Sequence, residues 1–257
     1  MAKRGTTRTT AKTRAKRRPG RPAGAAPATR ARGSLWPAVR RWSLRGVLGL
    51  GLAVVGLVAL LTVVNPPTTP YMAAESRRLG GVSHDWVAME RIAPVMARSA
   101  VAAEDAGFCA HWGFDLAAIR AAIEAGGERG ASTITQQVVK NVFLWQGRSW
   151  PRKALEALLT PLVELVWSKR RILEVYLNVA EFGEGMFGVE AAARASFGVA
   201  AADLGGAQAA RLAAILPAPK DRSAASPSAS VARRAAGIRD GAATIARDGR
   251  AACFEAG

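Results

Sequence analysis

Residues 130–144 read GASTITQQVVKNVFL. In a helical register Ile134, Val138 and Val142 recur every fourth residue as a buried stripe, and Thr133 with Gln136 three residues later forms a capping-box pattern. The stretch predicts an amphipathic helix entered at Thr133, after a loop that ends at Gly130. Its other side carries Thr133, Gln137, Lys140 and Asn141. A helix that only faces water usually carries Glu, Lys and Arg, which form helices well and solvate readily. One ammonium, two amides and a hydroxyl within about two turns suit phosphate or sugar oxygens. Taken alone, the stretch fits a solvated face equally well.

Helical spacing recurs in RIAPVMARSAVAAED (91–105), DLAAIRAAIEA (115–125) and RKALEALLTPLVELVWSKRRILEVYLN (152–178), and no alternating β-branched run is long enough for a sheet. The expected fold class is all-α. Pro161 should kink or split the long segment, with Ser168 capping a fresh helix over 169–178. EFGEGMFG (181–188) reads as a tight loop before a helix at about 189–197. Further helices are expected from about 205 to 215, stopping at Pro217, and over 229–247.

The chain has 257 residues, half of them hydrophobic, enough for one good-sized core. Its net charge of +17 points to nucleic acid until it is located. Residues 1–45 hold 14 Lys/Arg and no Asp or Glu, leaving 22 basic against 19 acidic residues, a balance of +3. The charge belongs to a tail rich in Thr, Ala, Pro and Gly, a composition that stays disordered. Within it RRPGRPAG (17–24) resembles the core of a minor-groove AT-hook, but basic residues beside a spanning helix serve generically as topology and lipid-headgroup determinants. No nucleic-acid partner is expected.

GVLGLGLAVVGLVALLTVV (46–64) is 19 residues without a charge and as a helix spans roughly 28 Å, close to the hydrocarbon thickness of a bilayer. Arg40, Arg41 and Arg45 precede it and Asn65-Pro66-Pro67 follows, so the positive-inside rule keeps the N-terminus cytoplasmic and exports the rest. A cleaved signal peptide is the competing reading, against its usual apolar core of about 7–15 residues. Export bears on Cys109 and Cys253, the only cysteines: an exported pair can form a disulfide, and spacing leaves open whether these two meet.

Two further stretches carry chemistry. EDAGFCAHWGFD (104–115) puts Glu104, Asp105, His111 and Asp115 at a helix end and the turn after it; RKALE (152–156) puts Arg152 and Glu156 four apart, with Lys153 beside them. Two carboxylates on separate elements, each near cations, suit chemistry at a sugar C1, where one moves a proton and another group manages the leaving group or the oxocarbenium charge. The plainer readings are helix-end solvation for Glu104 and Asp105 and a surface ion pair for Arg152 and Glu156.

In order along the chain, EDAGFCAHWGFD, GASTITQQVVKNVFL, RKALE and RRILEVYLNVAEFGEGMFGVEAAARASFG (170–198) resemble successive motifs of the peptidoglycan glycosyltransferase family, lysozyme-like enzymes that polymerise lipid II. The likeness runs from about 99 to 219 and is strongest to monofunctional members of bacteria with an outer membrane. It implies a lysozyme-like all-α domain over 91–220, between a linker or lead-in (65–90) and a partly helical tail (221–257).

The resemblance also implies roles. Glu104 would be the general base that deprotonates the acceptor sugar 4-hydroxyl, its pKa raised by burial or by Asp105. Glu156 would assist departure of the undecaprenyl pyrophosphate, directly or through a divalent cation such as Mg or Mn, no cofactor being required. Lys140, Arg152 and Lys153 would meet the developing negative charge. Thr133, Gln137 and Asn141 would hold substrate, with Phe108 and His111 shaping the cleft, although His111 also fits a satisfied structural histidine. Implied partners are lipid II, the growing glycan strand, the membrane and a cell-wall synthesis or division complex. The implied location is the bacterial inner membrane, with the catalytic domain periplasmic.

Trp145 and Trp150 beside Arg148 suit a headgroup zone, the alternative being that both tryptophans pack in the core. The connection from Asp115 to Gly130 is shorter than in many family members. A chain-cleaving muramidase or lytic transglycosylase shares the fold but should lack the paired basic residues for pyrophosphate. An inactive scaffold that recruits cell-wall synthases is the reading from another class, and intact Glu104 and Glu156 count against it.

Overall fold

The computed structural model describes residues 9, 36–124, 126, 132–147 and 149–255. The basic run at 17–24, Gly130 and Arg148 lie outside the described residues. The first helix, α1, spans Trp36–Leu60, and Val39–Leu60 within it is long and apolar enough to cross a membrane. The described residues up to Gly46 fall in one unit, where the Arg45 guanidinium lies 5.3 Å from the centre of the Trp42 ring. A second unit runs from Val47 to the C-terminus.

The helix starts at Trp36 and not at 46, because the arginines before the apolar run form helix readily and do not interrupt it. It ends at Leu60, short of 64, where the second unit takes up its last carbonyls. Arg171 Nε and Nη2 donate to Leu61 O (3.1 and 3.0 Å), Nη2 to Val64 O (2.9 Å) and Nη1 to Asn65 Oδ1 (2.8 Å). Trp167 Nε1 donates to Val58 O (2.7 Å). These donors satisfy carbonyls that a helix end leaves open.

Residues 65–90, expected as a linker or lead-in, are built into the second unit. Helix α2 (Pro70–Leu79) starts at Thr69, whose hydroxyl accepts from Met72 N (3.1 Å), and Met72 is buried in the core. Strand β1 (Ser83–His84) follows, then a 3-10 turn at Met89–Arg91 and helix α3 (Pro94–Glu104). Next come α4 (Leu116–Glu124), α5 (Ile134–Phe143), α6 (Trp150–Val166) and α7 (Lys169–Val179). Strands β2 (Glu181–Gly183) and β3 (Met186–Phe187) lead to α8 (Val189–Phe197), α9 (Gly206–Ile215), α10 (Ala229–Arg247) and α11 (Ala252–Glu255).

The unit is mostly helical, with α7 at its centre: Ile172, Leu173, Val175, Tyr176, Leu177 and Val179 are all buried. Helix α5 buries Ile134, Val138 and Val142, the stripe its sequence spacing predicts. Pro161 sits inside α6 without ending it. Ala157, whose carbonyl Pro161 cannot bond, lies with it on the exposed face. The break falls instead at Trp167, and Ser168 caps α7 by accepting from Arg171 N (3.1 Å).

The small sheet departs from the all-helical expectation. Its order is β1-β3-β2, with β1 parallel to β3 and β2 antiparallel to it, so EFGEGMFG is a hairpin. Strands of two or three residues are too short to show alternation. Gly185 turns the hairpin at φ 68°, and a Cβ there would come 2.7 Å from Leu79 Cδ1.

The C-terminal stretch is likewise part of the packing. Val231, Ala235, Ile238, Ala242 and Ile245 form the buried stripe of α10, which packs on α9 and α3. Phe254 of α11 is fully buried, its ring centre 6.3 Å from that of Phe108. Cys109 and Cys253 are joined by a disulfide, with their Cα atoms 5.7 Å apart.

Candidate active site

Glu104 is the last residue of α3, and the chain turns away at Asp105 (φ −161°, ψ 68°). Asp105 locks that turn in place. Its Oδ1 pairs with His111 Nε2 (2.7 Å), and its Oδ2 accepts from Ile134 N (3.0 Å) at the start of α5, where helix N-termini favour negative charge. Thr133 completes the junction: its hydroxyl accepts from Gln136 N (3.3 Å) and donates to Gly113 O (2.7 Å), while Gln136 Oε1 accepts from Thr133 N (3.0 Å). This is the capping box that the sequence predicts.

The Glu104 side chain is 13% exposed and accepts from Gln137 Nε2 (3.0 Å) at Oε2. Arg234 Nη2 of α10 stands 3.5 Å from its Oε1. Burial raises the carboxyl above the ordinary glutamate range, and Asp105 adds to the rise; Gln137, Arg234 and Lys140 oppose it.

Glu156 lies on α6 with its side chain 3% exposed. Its Oε2 accepts from Arg152 Nη1 (2.7 Å), and its Oε1 accepts from Lys153 Nζ. Arg152 is held further by Nε donating to Gly147 O (2.8 Å). Each Glu156 carboxylate oxygen thus accepts from a cationic group.

Lys140 stands electrically between the two carboxylates. Burial lowers its pKa most; Glu156 and Glu104 counteract that, while Arg152 and Lys153 reinforce it. With Gln137 and Asn141 it lines a cleft of about 330 Å³. Tyr71, Tyr176, Glu181 and Lys220 line the same cleft. Asn141 Oδ1 is taken by Gln146 Nε2 (3.0 Å).

The structure thus brings Glu104, Gln137, Lys140, Asn141, Arg152, Lys153 and Glu156 into one neighbourhood. Three sequence candidates are placed otherwise. Thr133 is 2% exposed with its hydroxyl committed to the α5 cap, and Phe108 is fully buried between Phe254 and the Lys169 ammonium, 4.5 Å from its ring centre. His111 is the structural partner of Asp105. Asp105, His111 and Asp115 bring ligand-type atoms within 4.8 Å of one another, but the Asp105 oxygens are engaged as described and Asp115 Oδ1 accepts from Ala118 N (2.8 Å).

Sequence reasoning missed Arg234, Tyr71 and Lys220. Arg234 is one arginine in an Ala/Arg-rich helix, and Tyr71 sits in the stretch expected as a lead-in. Glu181 was within sight, inside EFGEGMFG, but nothing in that stretch marks its carboxylate as the acceptor of the Tyr71 hydroxyl and of Gly185 N (3.0 Å).

This geometry coincides with a family. The transglycosylase family profile matches residues 73–242. A biosynthetic peptidoglycan transglycosylase of Jannaschia sp. (strain CCS1) is 62% identical over 217 residues, covering 84% of this chain and 91% of its own. One from Pseudomonas entomophila (strain L48) is 51% identical over 211 residues (78% of this chain, 89% of its own). One from Caulobacter vibrioides is 46% identical over 223 residues (84% and 97%). The chain belongs to the transglycosylase family.

Proposed function

We propose that this chain is a peptidoglycan transglycosylase of cell-wall synthesis that polymerises lipid II, a disaccharide linked through pyrophosphate to a polyprenyl chain. The observation that carries the reading is a contrast around Lys140, which lines the cleft and feels both groups: a buried carboxylate, Glu104, with its pKa raised, and a second, Glu156, held by two cations. In the proposed step the acceptor 4-hydroxyl oxygen attacks the donor C1 while Glu104 takes the hydroxyl proton. The bond from C1 to the pyrophosphate oxygen breaks, and its electron pair leaves with the pyrophosphate. Lys140, Arg152 and Lys153 meet that charge, and Glu156 acts through Arg152 and Lys153 by fixing where they point. Gln137 and Asn141 offer amides to the sugars.

The anchor reading belongs to this proposal. With α1 in the inner membrane, the N-terminus cytoplasmic and the cleft outside, enzyme and substrate share one surface, which raises their effective concentration. Trp150 and Trp145 are 89% and 47% exposed, and Leu158 and Leu165 of α6 are exposed as well, an apolar surface suited to the headgroup zone.

The test is a gel assay with fluorescent lipid II in detergent, comparing wild type with Glu104→Gln and digesting any polymer with a muramidase. Ladders made by wild type, absent with the variant and collapsed by muramidase are the expected result. If folded wild type makes no polymer but cleaves finished glycan strands, the chain is a hydrolase or lytic enzyme instead.

A further inference from the structure

Glu104 is approached from a part of the chain that carries none of the motifs singled out in the sequence. Helix α10 packs on α3, and from it Arg234 reaches the last turn of α3 twice: Nη2 lies 3.3 Å from Ala103 O and 3.5 Å from Glu104 Oε1. Farther along, Arg250 Nη1 donates to Ala106 O (3.1 Å), and Cys253 is bonded to Cys109. The C-terminal segment therefore grips the chain on both sides of Glu104.

The charged and titratable surroundings of Glu104 are few. From α5 come Gln137, its hydrogen-bond donor, and Lys140; from the turn after α3 comes Asp105; from α7 comes the Tyr176 hydroxyl, fully buried and without a hydrogen-bond partner among the described residues. Lys140 also answers to Glu156. Arg234 is thus the cation nearest Glu104 whose interaction with it is not divided with the second carboxylate.

We infer that Arg234 is a positioning residue for Glu104: it orients the carboxylate toward the acceptor and holds the charge that lets it take a proton. The inference rests on the proposed role of Glu104 as the base. Arg234 does not need to touch substrate; it acts through Glu104. An arginine beside a carboxylate favours the ionised form, so its removal moves the acidic limb of the rate profile to higher pH. With the Arg234 side chain 39% exposed, solvent weakens the effect, and a loss of about threefold at the acidic end is the size to expect.

The experiment is the pH dependence of kcat/KM for lipid II polymerisation by the full chain in detergent, for wild type, Arg234→Gln, Arg234→Lys and, as a control on the same helix, Arg233→Gln. Melting temperatures are measured in parallel. The expected result is that Arg234→Gln loses about threefold at acidic pH and far less at alkaline pH, that Arg234→Lys recovers most of the loss, and that Arg233→Gln follows wild type. An equal loss at every pH, or a lysine variant no better than the glutamine one, overturns the inference and makes Arg234 scaffold. If the glutamine variant does not fold, the lysine variant alone decides, since it must keep the wild-type limb. Glu104→Gln separates the layers: if it still polymerises, the base assignment falls, whereas a dead Glu104→Gln beside an unshifted Arg234→Gln profile removes only this inference.

Discussion

The two carboxylates that both act on Lys140, Glu104 and Glu156, stand in different electrical settings. Both Glu104 and Glu156 are largely buried, at 13% and 3% side-chain exposure. Glu156 receives a cationic donor on each oxygen, whereas Glu104 receives one amide at 3.0 Å and a single distant guanidinium. Burial without full compensation pushes the Glu104 carboxyl toward its neutral form, while Glu156 has a cationic hydrogen-bond donor on each oxygen. The difference teaches that a carboxylate's neighbours sort a proton acceptor from a charge organiser where residue type and depth do not.

The largest effect should come from breaking the Glu104 side. Glu104→Gln is expected to lower kcat for polymerisation by about 10³-fold, the order general base catalysis contributes, while the protein stays folded. Its melting temperature should rise by about 2 °C, because the variant no longer desolvates a charge. The sign follows from the raised pKa: the wild-type carboxylate costs stability above the ordinary glutamate range, so the gain is full above the raised pKa and disappears as pH falls from there through the ordinary range. Glu156→Gln should behave the other way. Activity falls by about 10²-fold through misplaced cations, and the melting temperature falls rather than rises, because Arg152, 10% exposed, loses its charged partner and keeps Gly147 O and at most a neutral amide oxygen among the described residues. Two melting curves and two rates test the contrast, and a shared sign of the stability change would erase it.

Next in size is the pH profile of kcat/KM, which should be a bell with limbs closer together than free glutamate and lysine would give. The acidic limb reports Glu104, raised by burial, and the alkaline limb Lys140, lowered by burial. Lys140→Arg, which stays charged at all working pH, should remove the alkaline limb at the cost of about tenfold in rate, since a planar guanidinium does not reproduce a point ammonium.

Much of this contrast was legible in the sequence, and the limits were physical. The α5 stripe, its capping box and the Ser168 cap are local, set by residues three or four apart, and the structure has them. The hairpin at 181–187 escaped because its strands are shorter than the period that reveals a strand. Thr133 and Phe108 read as cleft residues because sequence gives a side chain's helical face but not whether a cap or a core claims it; here Gly113 O and Phe254 do. Arg234 stands 130 residues from Glu104, a separation that no local pattern bridges. In the segment at 221–257 the helix over 229–247 was legible, and the structure has it; its docking was not, because nothing local says what Val231, Ala235, Ile238, Ala242 and Ile245 of α10 pack against.

The smallest effect on rate should come from the disulfide, which supports the Glu104 side from behind. Cys109 and Cys253 close a loop of 144 residues, a length at which a cross-link stabilises chiefly by restricting the unfolded chain. The same region is also held by the Arg250 contact to Ala106 O, the Arg98–Glu255 ion pair at 2.8 Å, the Arg170 contact to Phe254 O and the packing of Phe254 on Phe108. The folded geometry at Glu104 is therefore expected to survive loss of the bond. Cys109→Ser with Cys253→Ser should lower the melting temperature by about 5–10 °C, from a few kcal/mol of lost stabilisation. At 25 °C kcat should change by less than about twofold, and the acidic limb should stay in place because Arg234 is untouched. A shifted limb in the serine pair would mean that the strap sets the Glu104 environment directly, and the contrast between the two carboxylates would then depend on the oxidation state of the Cys109–Cys253 bond.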